Sequence, residues 1–303
     1  MKIIDIHTHL GDLLWGEPLD EAYDYAYWTF GTLGEWSGFR LSTPAPGFRT
    51  FARYMEIIHA HHRNNMATLS NLRKFSAEAG VSHSVVLPIE PMRRTGANLA
   101  ECRKANQDSS GHKIFSFASV APRDPERIAK LHRYMSEGCL GLKIHPIIQN
   151  LPLTDPAWFE ITEEFARYRK PILVHSGVSY YYIPYFKRSE YGEVSNYEKL
   201  AAAFPNQVFI MGHCNLTSPE RVFSLARKYP NVYADMSFQS AKNIRRGFNA
   251  MGEDRLLYAS DFPFSLPRYA VKVGMQATRQ SNSLREKFFF KNAETLVGEL
   301  PQA

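Results

Sequence analysis

Apolar and polar positions alternate in blocks over most of the chain. Short, continuous apolar runs occupy residues 3–6, 84–89, 114–120, 140–144, 172–174, 208–211, 232–234 and 256–259. Runs this short that lack internal alternation read as strands buried on both faces. Between them lie stretches of helical character at 98–108, 125–137, 156–169, 197–203, 219–228, 241–250 and 285–297. Another, from 48 to about 79, closes on Gly80 as a C-cap. Asp124-Pro125, Asp155-Pro156 and Ser218-Pro219 each read as an N-cap followed by a first-turn proline. Eight strands alternating with helices predict an α/β chain, either a closed (β/α)8 TIM barrel or a large doubly wound sheet. No Gly-rich GxGxxG turn and no P-loop is present, which weakens the nucleotide-binding sheet.

The rhythm fails in one place. From Asp12 to about Arg49 no period of 2.0 or 3.6 persists, and Trp15, Tyr23, Tyr25, Tyr27, Trp28, Phe30, Trp36 and Phe39 sit among glycines and prolines. The whole chain, 1–303, therefore reads as one barrel domain with an aromatic-rich insertion over roughly 12–65 after the first strand. A loop this long in a compact domain is usually a lid or an interface. Its root follows a strand end, so it is expected to fold over the barrel mouth and shape the pocket. Packing on a second copy of the chain, in a homodimer, is the rival.

Composition narrows the setting. No apolar run approaches the ~20 residues of a membrane span, and no charged leader with a cleavage site is seen, so a cytoplasmic, membrane-free protein is expected. Cys102, Cys139 and Cys214 form no CxxC and read as reduced thiols. The net charge of +6 is spread out, with Arg93-Arg94 and Arg245-Arg246 only as pairs. Nucleic acid is not suggested; a small, anionic substrate is compatible.

Candidate chemistry sits where strands end. Ile3-Ile4-Asp5-Ile6-His7-Thr8-His9 leads an apolar run into two histidines, and strand alternation places Asp5, His7 and His9 on one face. The fourth run continues into Lys143 and His145, the fifth into His175, the sixth into His213 and the eighth into Asp261. In a (β/α)8 barrel these ends converge on one mouth. Burying five imidazoles and a carboxylate there is costly unless they share a partner, and a cation is that partner. Separate backbone hydrogen bonds explain one such histidine easily and five poorly. Arg93 and Arg123, after the second and third runs, are candidate clamps for a carboxylate, and Tyr180, in a Tyr180-Tyr181-Tyr182 run, is a candidate pocket wall. His59, His61 and His62 read as surface histidines of a helix.

The motifs DIHTHL, GLKIHP, ILVHSG, IMGHCN and ASDFPF, in this order, resemble the amidohydrolase superfamily. Within it they are similar to the amidohydrolase-related branch that contains aminocarboxymuconate-semialdehyde decarboxylase. The resemblance covers the first strand and nearly everything from Gly80 onward. It implies one divalent metal held by His7, His9, His175 and Asp261, zinc first, with manganese or iron as alternatives. It assigns His213 to activating a bound water or polarising the substrate, and lets Asp261 shuttle a proton as well. Asp5 is expected behind the ligands rather than among them. Lys143 is expected as a free cation near the site, with carbamylation and a second metal as the alternative; His145 is a candidate substrate contact. The implied activity is hydrolysis of an ester, lactone or amide by a metal-bound hydroxide. The alternative is non-oxidative decarboxylation of an aromatic or unsaturated acid; a non-catalytic metal-binding barrel is a third reading.

Overall fold

The structure, a computed structural model, describes residues 1–20, 60–107, 111–178 and 188–301. Eight parallel strands run β1 (Ile4–Thr8), β2 (His83–Val86), β3 (Lys113–Ser116), β4 (Leu142–Ile144), β5 (Ile172–His175), β6 (Phe209–Gly212), β7 (Val232–Asp235) and β8 (Leu256–Leu257). Neighbours in sequence are neighbours in space, in one set β1-β2-β3 and another β4-β5-β6-β7-β8. Parallel bridges Ala118↔Leu142 and Thr8↔Phe262 join the two sets at both seams. Backbone bonds Lys143 N→Ala118 O (2.7 Å) and His9 N→Phe262 O (2.8 Å) flank those bridges. The ring is thus a closed (β/α)8 barrel.

Helices fill the connections, and local sequence shows why. Leu69–Ala79 (α1) is capped by Thr68, which accepts from Asn71 N, and ends where Gly80 takes a left-handed φ of 70°. Pro156–Ala166 follows Thr95–Asn106 (α2) and Arg127–Ser136 (α3) as α4; Asp155 accepts from Ala157 N and Pro156 opens the first turn. Trp158, Ile161, Thr162 and Phe165 form its buried stripe at spacings of three and four. Each large apolar side chain so buried contributes about 1.5–3 kcal/mol. Glu198–Ala203 (α5), Pro219–Lys228 (α6) and Ala241–Met251 (α7) continue the pattern.

Several expectations need correction, among them the Ser218 N-cap, whose side chain makes no capping bond. The helix after Asp124-Pro125 begins at Arg127; Asp124 accepts from Glu126 N and pairs with Lys130, so it closes a turn instead. A helix absent from the sequence reading, Pro267–Ala277 (α8), follows β8. The stretch expected at 285–297 starts at Asn282 (α9, Asn282–Glu286), passes through a π turn at Lys287–Lys291 and ends in α10 (Asn292–Val297). Strands are also shorter than the apolar runs, because Leu87, Ile89, Phe117 and Val120 remain buried after leaving the sheet.

Strand β1 carries a bulge. Asp5 pairs with Ser84 but Thr8 pairs with Val86, so three steps on β1 oppose two on β2. Ile4 and Ile6 therefore join the interior cluster with Val85, Phe117, Leu173, Ile210 and Leu257. Asp5 falls out of step with His7, contrary to simple alternation. Its Oδ1 accepts from Ser260 N (2.9 Å) and His7 N (3.3 Å), stitching β1 to the segment after β8. The lower end of the interior is closed by Ala293, Leu296, Val297 and Leu300.

The root of the insertion is closed as well. Asp12 Oδ1 accepts from Leu14 N, Trp15 N and Asn64 Nδ2, while Asn64 Oδ1 accepts from Leu13 N. Gly11 N donates to Ala67 O at 2.7 Å. Residues 21–59, which carry Trp28, Trp36 and His59, lie outside the described residues, as does the lid they were expected to form. Among the described residues no helix is long and apolar enough to cross a membrane.

Candidate metal centre and active site

The upper ends of the strands deliver the expected groups to one place. His7 Nε2 lies 3.1 Å from His9 Nε2, and Asp261 Oδ1 lies 3.3 and 3.2 Å from these two nitrogens. Asp261 arrives through a left-handed backbone position (φ 59°), with its own N–H on His7 O at 2.8 Å. His213 Nδ1 is 3.8 Å from Asp261 Oδ2, and His213 Nε2 is 3.2 Å from His175 Nδ1. Lys143 Nζ donates to His7 Nε2 at 3.1 Å, and the His145 ring stacks on His175 at 4.0 Å. All seven side chains are buried.

Hydrogen bonds on the far side of each ring fix its tautomer. His7 Nδ1 donates to Asp235 Oδ2 (2.8 Å) and His9 Nδ1 donates to the Leu87 carbonyl (2.7 Å). Their Nε2 atoms therefore present lone pairs to one another and to Asp261 Oδ1, which has no hydrogen-bond donor. The Lys143 ammonium serves one of these acceptors, His7 Nε2. The same shortage recurs beside it. His175 Nε2 donates to Gly177 O (3.1 Å) and His213 Nδ1 to Ser237 Oγ (2.8 Å), so His175 Nδ1 and His213 Nε2 also meet lone pair to lone pair.

Electrostatics keep these rings in their ligating form. Burial, reinforced by Lys143, pushes His9 and His175 down to about 3 and His7 well below the ordinary histidine value. Burial likewise lowers His145 and His213. Lys143 is lowered to about 8 by burial, against the pull of Asp261 and Asp235. Burial raises the Asp261 carboxyl well above its usual range, with Lys143 opposing. Neutral imidazoles and an unpartnered carboxylate oxygen, gathered around facing lone pairs, fit a divalent cation. His7, His213 and Asp261 each offer an atom within 4.8 Å of the others, and His9 adjoins two of the three.

Not every candidate reaches this cluster. The Arg93 guanidinium is held by Asn98 and Glu101 and packs against Gly11. Arg123 is exposed, and Tyr180 lies outside the described residues. His61 accepts from Trp15 Nε1 at 3.0 Å, whereas His62 is buried, contrary to a surface reading. Two groups absent from the sequence reading matter more. Asp235, at the end of β7, holds His7 with Oδ2; its Oδ1 accepts from His213 N (3.0 Å) and from Ser237 Oγ (2.6 Å). One carboxylate thus orients His7 directly and His213 through Ser237. Its signal was a lone aspartate closing an apolar run, in Val232-Tyr233-Ala234-Asp235.

Comparison with known proteins gives the family and the fold. The family model described as Amidohydrolase matches residues 4–298. No curated protein matches the chain in sequence. Among solved structures, an uncharacterized TIM-barrel protein from Bordetella bronchiseptica superposes with a TM-score of 0.69 at 16% identity, covering 98% of both chains. The 5-carboxyvanillate decarboxylase of Novosphingobium aromaticivorans, with bound manganese and 3-methoxy-4-hydroxy-5-nitrobenzoic acid, gives 0.66 at 16%, covering 98% of this chain and 97% of that one. A 2,6-dihydroxybenzoate decarboxylase from Rhizobium gives 0.63 at 15%, with 98% of each chain covered.

Proposed function

The chain belongs to the amidohydrolase family and is an enzyme of that superfamily, and from this premise we propose that it is a metal-dependent, non-oxidative decarboxylase of a small aromatic acid. The observation that carries the reading is the wall beside the donor cluster. Phe264 stands edge-on to His9 with centroids 6.1 Å apart, and Phe238 edge-on to His213 at 5.5 Å. Phe264 also packs on an apolar cluster of strand-end residues, Leu13, Leu14, Ile89, Ile147 and Ile148. A buried ammonium and lone-pair cluster against aromatic rings suits a carboxylate borne on a flat apolar body. The solved aromatic-acid decarboxylases support the same class. Together they favour decarboxylation over the hydrolysis that the motifs alone put first.

His7, His9, His175 and Asp261 would hold a divalent ion, zinc by this donor set or manganese as in the solved neighbour, which would supply Lewis acidity toward a bound carboxylate. Lys143 then orients the carboxylate through its Nζ. The bond between ring carbon and carboxyl carbon breaks, carbon dioxide leaves, and the electron pair stays on the ring carbon. Asp261, with Oδ1 beside His7 and His9, would pass a proton to that carbon through Oδ2. His213, fixed at Nδ1 by Ser237 Oγ, would present Nε2 as the base of the site. Phe238 and Phe264 exclude water from the carbanionic carbon.

The test is a substrate panel with protein loaded with manganese or with zinc, alongside elemental analysis. Release of carbon dioxide from a hydroxylated benzoate, lost on chelation and in Asp261→Asn, supports the proposal. Hydrolysis of an ester or lactone without release of carbon dioxide from any acid overturns it.

A further inference from the structure

The segment that carries His213 is held in an unusual conformation. His213, Cys214, Asn215 and Leu216 have φ values of 58°, 45°, 61° and 47°, and none is glycine. Leu216 also has ψ of −99°, outside the left-handed well that side chains tolerate. Consecutive residues persist in such regions only where their surroundings over-determine them. Here Asp235 Oδ1 accepts from His213 N, Ser176 Oγ accepts from Asn215 N, and one further side chain spans the two ends of the turn. Gln239 Nε2 donates to His213 O (2.8 Å) and to Leu216 O (2.6 Å), the first and last carbonyls of the turn. Its Oε1 accepts from Asn243 Nδ2 at 2.9 Å, and the residue is 1% exposed. The turn in turn touches the neighbouring histidine. A Cβ on Gly177 would meet Leu216 Cδ1 at 2.9 Å, and it is Gly177 O that accepts from His175 Nε2.

We infer that Gln239 is a positioning residue for the His213–His175 pair. Its carboxamide locks the left-handed turn, which aims the His213 ring. Through Leu216 on Gly177 it also fixes the carbonyl that sets the His175 tautomer. Without the two donated bonds the turn relaxes toward negative φ and swings the Cα–Cβ bond of His213 away from Asp261. The inference rests on the reading that His175 and His213 belong to the metal-dependent site.

The experiment compares wild type with Gln239→Leu, which keeps the bulk and removes the donors. Amide hydrogen exchange of residues 214–216 in the metal-free protein reads the turn itself and is expected to accelerate severalfold. Titration with Co2+, followed by its visible absorbance, reads the site; affinity is expected to fall about 10–100-fold, as for other residues that orient ligands. Adding Cys214→Gly, which takes positive φ at little cost, should recover part of that loss. Unchanged exchange in Gln239→Leu overturns the inference whether or not Co2+ binds, and so does a loss of affinity that Cys214→Gly leaves untouched. Wild type that fails to bind Co2+ counts against the metal-site reading alone. Should Gln239→Leu not fold, Asn243→Ala frees Gln239 Oε1 and is expected to show the same changes at smaller size.

Discussion

At the lower end of the barrel, where the strands begin, cations and imidazoles find backbone acceptors. Lys170 Nζ donates to Val297 O, Lys2 Nζ to Leu300 O and Glu294, and His83 Nε2 to Pro301 O. Beneath them Ile4, Ile6, Leu173, Ile210 and Leu257 meet Ala293, Leu296 and Val297. At the upper end, His7, His9, His175, His213 and Asp261 face one another with more acceptors than protons. The lower end is complete as folded, and the upper end leaves facing lone pairs that a cation would satisfy. Stability and chemistry are thus kept at opposite ends of one barrel.

The sharpest way to separate the two ends is His213→Asn. It is expected to leave bound metal in place while turnover on the true substrate falls ~10²–10⁴-fold. Steady-state kinetics with elemental analysis check it, and unchanged turnover in metal-replete protein makes His213 structural. Ile4→Ala probes the other end. Ile4 is fully buried in the interior cluster, so about 2–5 kcal/mol of stability should be lost in urea denaturation, with metal stoichiometry unchanged.

Acid should find the upper end first. In the metal-free protein His7, His9, His145, His175 and His213 all have lowered values, so the unfolded chain binds more protons once pH falls below about 6.5. Stability is then lost as pH drops from about 6.5 toward about 3, by up to about 1.4 kcal/mol per pH unit for each net proton. Asp5, raised to about 7, and Asp261 act in the opposite sense, while His61, His83 and His112, also lowered by burial, add to the loss. Melting curves of metal-free protein at pH 7 and pH 5 should separate clearly, and a flat profile contradicts the sign. The smallest change is expected from Lys170→Met. Its single bond to Val297 O is partly exposed, so the loss should be about 1 kcal/mol or less, without effect on metal binding.

What the sequence discloses follows the same division. The barrel was legible because strands buried on both faces are written as apolar runs, and because five of the eight lead into a ligand-type residue. Helix α8 was not, since its buried positions Ala270, Gly274 and Ala277 are small. A Cβ at Gly274 would meet Phe289 at 2.7 Å, so close packing rather than large apolar side chains defines that face. Alternation misplaced Asp5 because a bulge in β1 is a property of its pairing with β2. Asp235 carried no histidine beside it to draw attention. Gln239 is meaningful only once the turn it holds has a shape.

The closed root of the insertion has a consequence for how such a barrel diversifies. Asp12 and Asn64 meet within a hydrogen bond, Gly11 is bonded to Ala67, and Arg63 reaches the Phe264 carbonyl in the segment after β8. The excursion leaves and re-enters the scaffold through one gate, whatever lies between. Doubling the length of a flexible chain closed this way costs only about 0.6 kcal/mol more. The bonds at Asp12, Asn64 and Gly11 hold the chain on either side of that stretch, so the positions of His7 and His9 are set by the barrel and not by its length.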